Sequence, residues 1–274
     1  MNVPSEVNLT VQTHRDYETL ALERHGATAV VTLNRPEALN AVNGTMLADL
    51  ESVFTDLAND ESVRAMVLSA AGRAFCAGAD VKDPYYNAGP EVQAERVDLG
   101  YTAAGLLREM PFPTICAING ACVAIGYSLA ALCDLRIAAT DARIMLGFAQ
   151  VGILPDMLAS TLLPGFVGPA RAVELVLLDD AIDANRAHEL GLVTQVVAPE
   201  NLQQSTLELA QRLSVRSGAA TRLSRKALRD LGSQPFDHAA EAEKRIVRER
   251  IRSNDLLEGL AAVRERRQPI FTDR

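Results

Sequence analysis

The chain reads as an α/β protein whose final segment is entirely helical, and three observations predict this. Residues 29–33, 65–69, 114–118 and 135–138 are short apolar or β-branched runs that stop at turn residues. Helical periodicity separates them. Between 45 and 58, for example, Met46, Leu47, Leu50, Val53, Phe54 and Leu57 recur at i, i+3, i+4 and i+7 spacings, which predicts a crossover helix with one buried stripe. Beyond Glu200 strand signals disappear, and 202–213, 219–231, 239–250 and 255–266 read as consecutive amphipathic helices. We therefore divide the chain into a core of residues 1–200 and a helical C-terminal region of residues 201–274. Between these elements, residues 83–100 carry Pro84, Tyr85, Tyr86, Gly89 and Pro90 ahead of a polar helical stretch, the pattern of a mobile covering loop.

Composition bounds the function. With 274 residues, 48% of them hydrophobic, the chain can bury one full core. A net charge of −8 argues against the clustered cationic face that a nucleic acid requires, so any polyanionic ligand must be held locally. Residues 1–10 have neither a basic start nor an apolar core, and no apolar run reaches the roughly 18 residues of a membrane span. The expectation is a cytoplasmic protein with no membrane contact. Cys76, Cys116, Cys122 and Cys133 lie in apolar surroundings without C-x-x-C spacing, which predicts buried free thiols and no metal site.

Two segments carry the chemistry: RAFCAGAD at 73–80 and NGACVAIG at 119–126. Each places small residues after an apolar run, leaving backbone N–H groups uncovered where a ligand oxygen can approach. A pair of such donors makes an oxyanion hole. One hole donor is worth on the order of 2.7–4 kcal/mol in the transition state, and one general base roughly 10²–10⁴ in rate, so such a chain needs few catalytic side chains. Other chemistries lack support. There is no G-x-G-x-x-G after a strand, no G-x-x-x-x-G-K-[ST] and no H-E-x-x-H. Gly126-Tyr127-Ser128-Leu129-Ala130 resembles a nucleophile elbow, but Ser128 falls ten residues past the predicted strand end at Ile118, inside a helix rather than at a strand-to-helix turn. His188 sits in the amphipathic stretch 184–190, where it reads as structural.

The run NRPEALNA (34–41), FCAGAD (75–80), the Asn119-Gly120 turn, Cys133-Asp134, GILPD (152–156) and GLV (191–193) follow the order and spacing of the crotonase, or enoyl-CoA hydratase/isomerase, superfamily. The resemblance covers the chain from about residue 25 onward. It implies ββα turns wound into a spiral of two crossed sheets, then C-terminal helices that pack between subunits of a homotrimer or a dimer of trimers. It also implies an acyl-CoA substrate, so coenzyme A enters as part of the thioester and no separate cofactor is needed.

By the same resemblance the hole donors are the N–H groups of Ala79 and Ile125, the latter in an Ala124-Ile125-Gly126 triplet where relatives have glycines. For isoleucine to serve there, its φ/ψ must be ordinary. The helix from Gly126 to Leu132 carries no charge and should point its positive end at a developing enolate oxygen. The family pattern has the backbone of Phe75, Cys76, Ala77, Gly78 and Ala79 bind the adenine, with Arg35 and Lys82 near the phosphates. Arg267 and Phe271 would help hold a coenzyme A bound to a neighbouring subunit, although the basic run at 264–267 also reads as a solvated helix end.

Hydratases of the family activate water with two glutamates, and their positions here are Ser128 and Phe148. One carboxylate remains. Asp156 coincides with the catalytic aspartate of dienoyl-CoA isomerases and of the ring-epoxide isomerases of phenylacetate breakdown, and burial among Phe148, Ile153, Leu154 and Met157 should raise its pKa. It also reads as an N-cap for a helix over 157–163. The expected reaction is a double-bond shift through a thioester enolate, with Asp156 moving the proton. A hydratase with unorthodox water activation and a noncatalytic acyl-CoA-binding protein are the alternatives.

Overall fold

The computed structural model describes residues 17–84, 88–149, 153–230, 254–265 and 267–272. Its frame is a six-stranded sheet. β1 (Leu20–His25) and β2 (Thr28–Leu33) form an antiparallel hairpin, and β3 (Ala65–Ala70), β5 (Thr114–Ile118), β7 (Leu135–Ala139) and β10 (Gln195–Val197) follow in parallel. A four-stranded sheet joins β4 (Ala74–Cys76), β6 (Ala121–Val123), β8 (Arg143–Met145) and β9 (Ile182–Asp183) in that order. The chain visits the sheets alternately. β3 feeds β4, β5 feeds β6 and β7 feeds β8, and a helix follows each pair: α2 (Pro90–Arg108), α3 (Ile125–Leu132) and α4 (Ala159–Val167). This is the expected spiral of ββα units. α5 (Pro169–Leu178) and α6 (Ala184–Glu189) bracket β9, and α7 (Leu202–Ser214), α8 (Gly218–Asp230) and α9 (Asn254–Glu265) complete the described helices. The helix expected over 239–250 lies outside the described residues.

The predicted crossover helix is α1 (Gly44–Ala58), and the six apolar residues of its stripe are all buried. Asn43 caps it, accepting the Met46 N–H at 2.9 Å. Along β3, alternation sends Met66 and Leu68 to the main core and Ala65 and Val67 to the other face. There Ile115, Ala117, Ile137 and Ala139 join them beneath Leu202 and Ala210 of α7. α7 therefore closes the outer face of the large sheet, and this part of the C-terminal region belongs to the folded core. The stretch expected to be a covering loop is already helical from Pro90 onward.

Turn chemistry draws the two sheets together. Asn40, fully buried at φ 54°, accepts the Arg35 N–H and donates to the carbonyls of Ala71 and Ala74, which explains the asparagine in the NRPEALNA run. A Cβ on Gly120 would stand 2.2 Å from the Arg73 carbonyl oxygen, so only glycine fits the Asn119-Gly120 turn. Asp134 accepts the Thr114 N–H at 2.9 Å and pairs with Arg225 and Arg229 of α8. Gly126 makes the tightest approach that matters to the site: a Cβ there would meet the Cys76 carbonyl oxygen at 2.6 Å. Because backbone obstructs that Cβ, Gly126→Ala should destabilise the fold by about 1–3 kcal/mol, as overpacked sites do. An unaltered urea midpoint in that variant would show that α3 is not held against β4.

Candidate active site

The two uncovered segments meet at the end of β4. Val42 bridges Ala79 in parallel: its N–H donates to the Gly78 carbonyl at 2.8 Å, and its carbonyl accepts the Asp80 N–H at 2.9 Å. Successive groups of extended backbone alternate in direction, so the Ala79 N–H turns away from Val42, and it donates to no group among the described residues. Ile125 opens α3, where an N–H has no acceptor within its own helix and the positive dipole end lies. Gly78, at φ +100°, brings the segments side by side, since a Cβ on it would lie 3.5 Å from both the Ala124 Cβ and the Val123 oxygen. Two donors on adjoining turns can receive one carbonyl oxygen and stabilise the charge that develops there.

The unusual backbone falls on Ala124, not on Ile125. Ala124 sits at φ 48°, ψ −113°, a region that suits glycine, whereas Ile125 is already helical. The isoleucine thus meets its condition, and the strain of departing from a glycine triplet is carried one residue earlier.

Asp156 lies beside the first turn of the same helix, at Ser128. Ser128, fully buried in α3, directs its hydroxyl to the Asp156 carbonyl at 3.1 Å and lies 3.4 Å from the Ala124 carbonyl. A single hydroxyl proton favours the shorter of these. The Asp156 carboxyl is partly buried, its Oδ1 is sealed from solvent without a partner among the described residues, and burial raises its pKa to about 6. Its own N–H opposes that rise, whereas the Ser128 hydroxyl is spent on the backbone carbonyl. Phe148 and Met157 are buried beside the segment as expected. Ile153 and Leu154 are not: they are 48% and 68% exposed and contribute nothing to the dry surroundings of the carboxyl.

The N-cap reading of Asp156 does not hold. α4 begins at Ala159 with Leu158 as its cap, and no side chain caps it. Met157 at φ 45° and Leu158 at φ 70° are two successive left-handed residues, so the chain bends sharply just after Asp156. That bend leaves the carboxyl free of the helix terminus.

The candidates for coenzyme A divide. Arg35 and Lys82 line one cleft of about 370 Å³ with Asn43, Gly44, Thr45, Asp80, Asp83 and Pro84. Lys82 is exposed, whereas the Arg35 guanidinium is engaged with Asp80 at 2.9 Å and the Ala41 carbonyl at 2.6 Å. Phe75 and Cys76 are fully buried, and the Ala77 N–H donates to the Leu39 carbonyl at 3.0 Å. Arg267 pairs with Glu258 and Glu265, and Phe271 lies over Gly259, so the segment after α9 folds back against that helix.

Comparison with known proteins agrees with this geometry. The family model described as enoyl-CoA hydratase/isomerase matches residues 23–274. The protein belongs to the enoyl-CoA hydratase/isomerase family. Among the relatives of this family member is the 1,2-epoxyphenylacetyl-CoA isomerase of Escherichia coli, 35% identical over 88% of this chain and 94% of the relative. The crotonyl-CoA hydratase of Syntrophomonas wolfei is 32% identical over 93% of this chain and 98% of its own. The crystal structure of an enoyl-CoA hydratase from Bacillus anthracis superposes with a TM-score of 0.89 at 29% identity, covering 94% of this chain and all of that one.

For this member of the family, the serine-hydrolase reading fails on geometry, since the Ser128 hydroxyl faces carbonyl oxygens and not an imidazole. His188 instead contacts the Val193 carbonyl through Nδ1 at 3.2 Å. Sequence reasoning missed the salt bridge between Arg96 of α2 and Asp83, and the engagement of Asp179 with Gly147. Neither leaves a local pattern, because each partner lies more than ten residues away. The strain at Ala124 yields a prediction. Relief of about 1–3 kcal/mol of backbone strain exceeds the roughly 0.4–1 kcal/mol of chain entropy that a glycine adds to the unfolded state. Ala124→Gly should therefore raise the unfolding free energy by about 1 kcal/mol, read from urea titration.

Proposed function

We propose that this protein is an acyl-CoA isomerase that shifts a double bond through a thioester enolate, with Asp156 as the only proton carrier. The supporting observation is that, among the described residues, one partly buried carboxyl belongs to the site, and Ser128 and Phe148 stand at the two positions where the family resemblance puts the glutamates of hydratases. The thioester oxygen accepts hydrogen bonds from the Ala79 and Ile125 N–H groups. The Asp156 carboxylate removes a proton from the α-carbon of a 3-enoyl thioester, and the electron pair spreads into the carbonyl to give a dienolate. The same carboxyl, now protonated, returns the proton to the γ-carbon, so the double bond moves into conjugation and no atom is gained or lost. Phe148 keeps water from the place where hydration would begin.

The pKa of about 6 suits this task, since a free aspartate is a weak base for such a proton. The relative named 1,2-epoxyphenylacetyl-CoA isomerase supports an isomerase, and the relative named crotonyl-CoA hydratase keeps hydration as the second reading. We also propose that the enzyme works in the cytoplasm as a homotrimer or dimer of trimers, in which Arg267 and Phe271 complete the coenzyme A site of a neighbouring copy. Arg267 would then exchange the Glu258 and Glu265 carboxylates for phosphate.

Purified protein given a 3-enoyl-CoA should gain the ultraviolet absorbance of the conjugated thioester without a change in product mass. Asp156→Ala should reduce this rate by at least about 10³-fold, within the range for lost general bases, while acyl-CoA affinity stays nearly intact. Retained turnover would remove Asp156 from the mechanism. Because the base must be deprotonated, kcat/KM should climb as pH passes through about 6 and level off above it. Stability should show the opposite slope. A carboxyl whose folded pKa is raised from 3.8 to about 6 favours the folded state below pH 4, and that contribution is lost as pH rises to about 6. Asp156→Asn should consequently be more stable than the native protein at pH 7, and an equal melting temperature would contradict the burial of this charge.

A further inference from the structure

Asp179 breaks three local preferences at once. It ends α5 in the left-handed conformation at φ 54°, where glycine or asparagine is usual. It sets a carboxyl at a helix C-terminus, the negative end of the dipole. It is also only 6% exposed, and its Oδ2 has no partner among the described residues. One contact stands against these costs: Oδ1 accepts the Gly147 N–H at 2.5 Å. Residues that violate several local rules together mark places where position matters more than stability.

Gly147 is the junction of the site. At φ +69°, it packs so closely on the end of β6 that a Cβ would lie 3.0 Å from Val123 Cγ1 and 3.7 Å from the Ala124 Cβ. The next residue is Phe148, whose carbonyl accepts the Ile153 N–H at 3.1 Å and so ties it to the stretch 153–156 that ends at Asp156. Strand β8 ends just before, where the Met145 carbonyl accepts the Ala124 N–H at 3.1 Å. Whatever fixes Gly147 therefore bears on Ala124, the neighbour of Ile125, and through Phe148 on the described residues 153–156 that carry the carboxyl.

We propose that Asp179 is a positioning residue: its carboxylate anchors the Gly147 N–H and thereby holds Phe148 and the Asp156 loop in register with the Ala79 and Ile125 donors. It does not touch substrate. The proposal rests on the isomerase reading for its kinetic consequences alone, because the anchoring itself is a property of the free protein.

Two substitutions separate the backbone from the side chain. Asp179→Asn keeps the acceptor oxygen and tolerates the left-handed backbone, whereas Asp179→Gly keeps the backbone and removes the acceptor. Amide exchange at Gly147 should be slow in the native protein and Asp179→Asn and faster in Asp179→Gly. Equal protection in all three would overturn the anchor, whether or not any enoyl-CoA is turned over. With a 3-enoyl-CoA, Asp179→Gly should lower kcat by about 10²-fold, the scale of a 1 Å misplacement, with KM nearly unchanged. Asp179→Asn should restore most of that loss. Phe148→Ala should absorb part of the Asp179→Gly effect in the double variant, since the two act through one wall. Full additivity, or an Asp179→Asn as impaired as Asp179→Gly, would contradict the proposal. If the native protein isomerises nothing while Gly147 exchange still follows the acceptor, the reaction is wrong and the anchor stands.

Discussion

The close approach of α3 to the end of β4 is the constraint on which the rest depends. A backbone carbonyl and a helix can come within 2.6 Å of a hypothetical Cβ only because residue 126 is glycine. That approach sets the first turn of an uncharged helix against the turn that carries Ala79. Neither the Ala79 N–H nor the Ile125 N–H has an acceptor among the described residues, so both remain available to one ligand oxygen. The alternation of the chain between two sheets is what delivers them, since β4 and β6 are hydrogen-bonded neighbours although more than forty residues separate them in sequence. Strain at Ala124 is the local consequence of bending an ordinary residue through a glycine's conformation.

The second half of the site obeys a different balance. In the proposed mechanism a hole of fixed amides works through position, and its charge does not vary with pH, whereas Asp156 would work as a base only with its proton affinity raised and its carboxyl still open to the reacting carbon. Partial burial accomplishes this: desolvation raises the pKa to about 6, and a hydrogen bond from its own N–H limits the rise. A fully buried carboxyl with no partner would stay protonated and fail as a base. The two left-handed residues after Asp156 keep it off the end of α4, where a helix terminus would have claimed it.

Much of this could be read from the sequence because it depends on local pattern. The stripe of α1, the strands at 65–69 and 114–118 and the uncharged α3 follow from periodicity and from small residues after apolar runs. The short strands β4, β6, β8 and β9 did not declare themselves, since two- or three-residue strands have no period to detect. Exposure of Ile153 and Leu154 ran against the expectation that apolar neighbours in sequence share a core. Arg35, read as a phosphate ligand, is committed to Asp80 across forty-five positions, and Asp179 acts on a glycine thirty-two positions away. Such pairings depend on topology, which residue spacing does not encode.

The central claim is that this site moves a proton and excludes water. It is tested most directly by incubating the native protein with a 2-enoyl-CoA and a 3-enoyl-CoA in H₂¹⁸O and locating the label by mass spectrometry. The account predicts that conjugation develops from the 3-enoyl thioester with no ¹⁸O in the acyl chain. Label appearing in the acyl chain as conjugation is lost from the 2-enoyl thioester would contradict it, and would mean that water reaches a carbon that Phe148 was thought to keep dry.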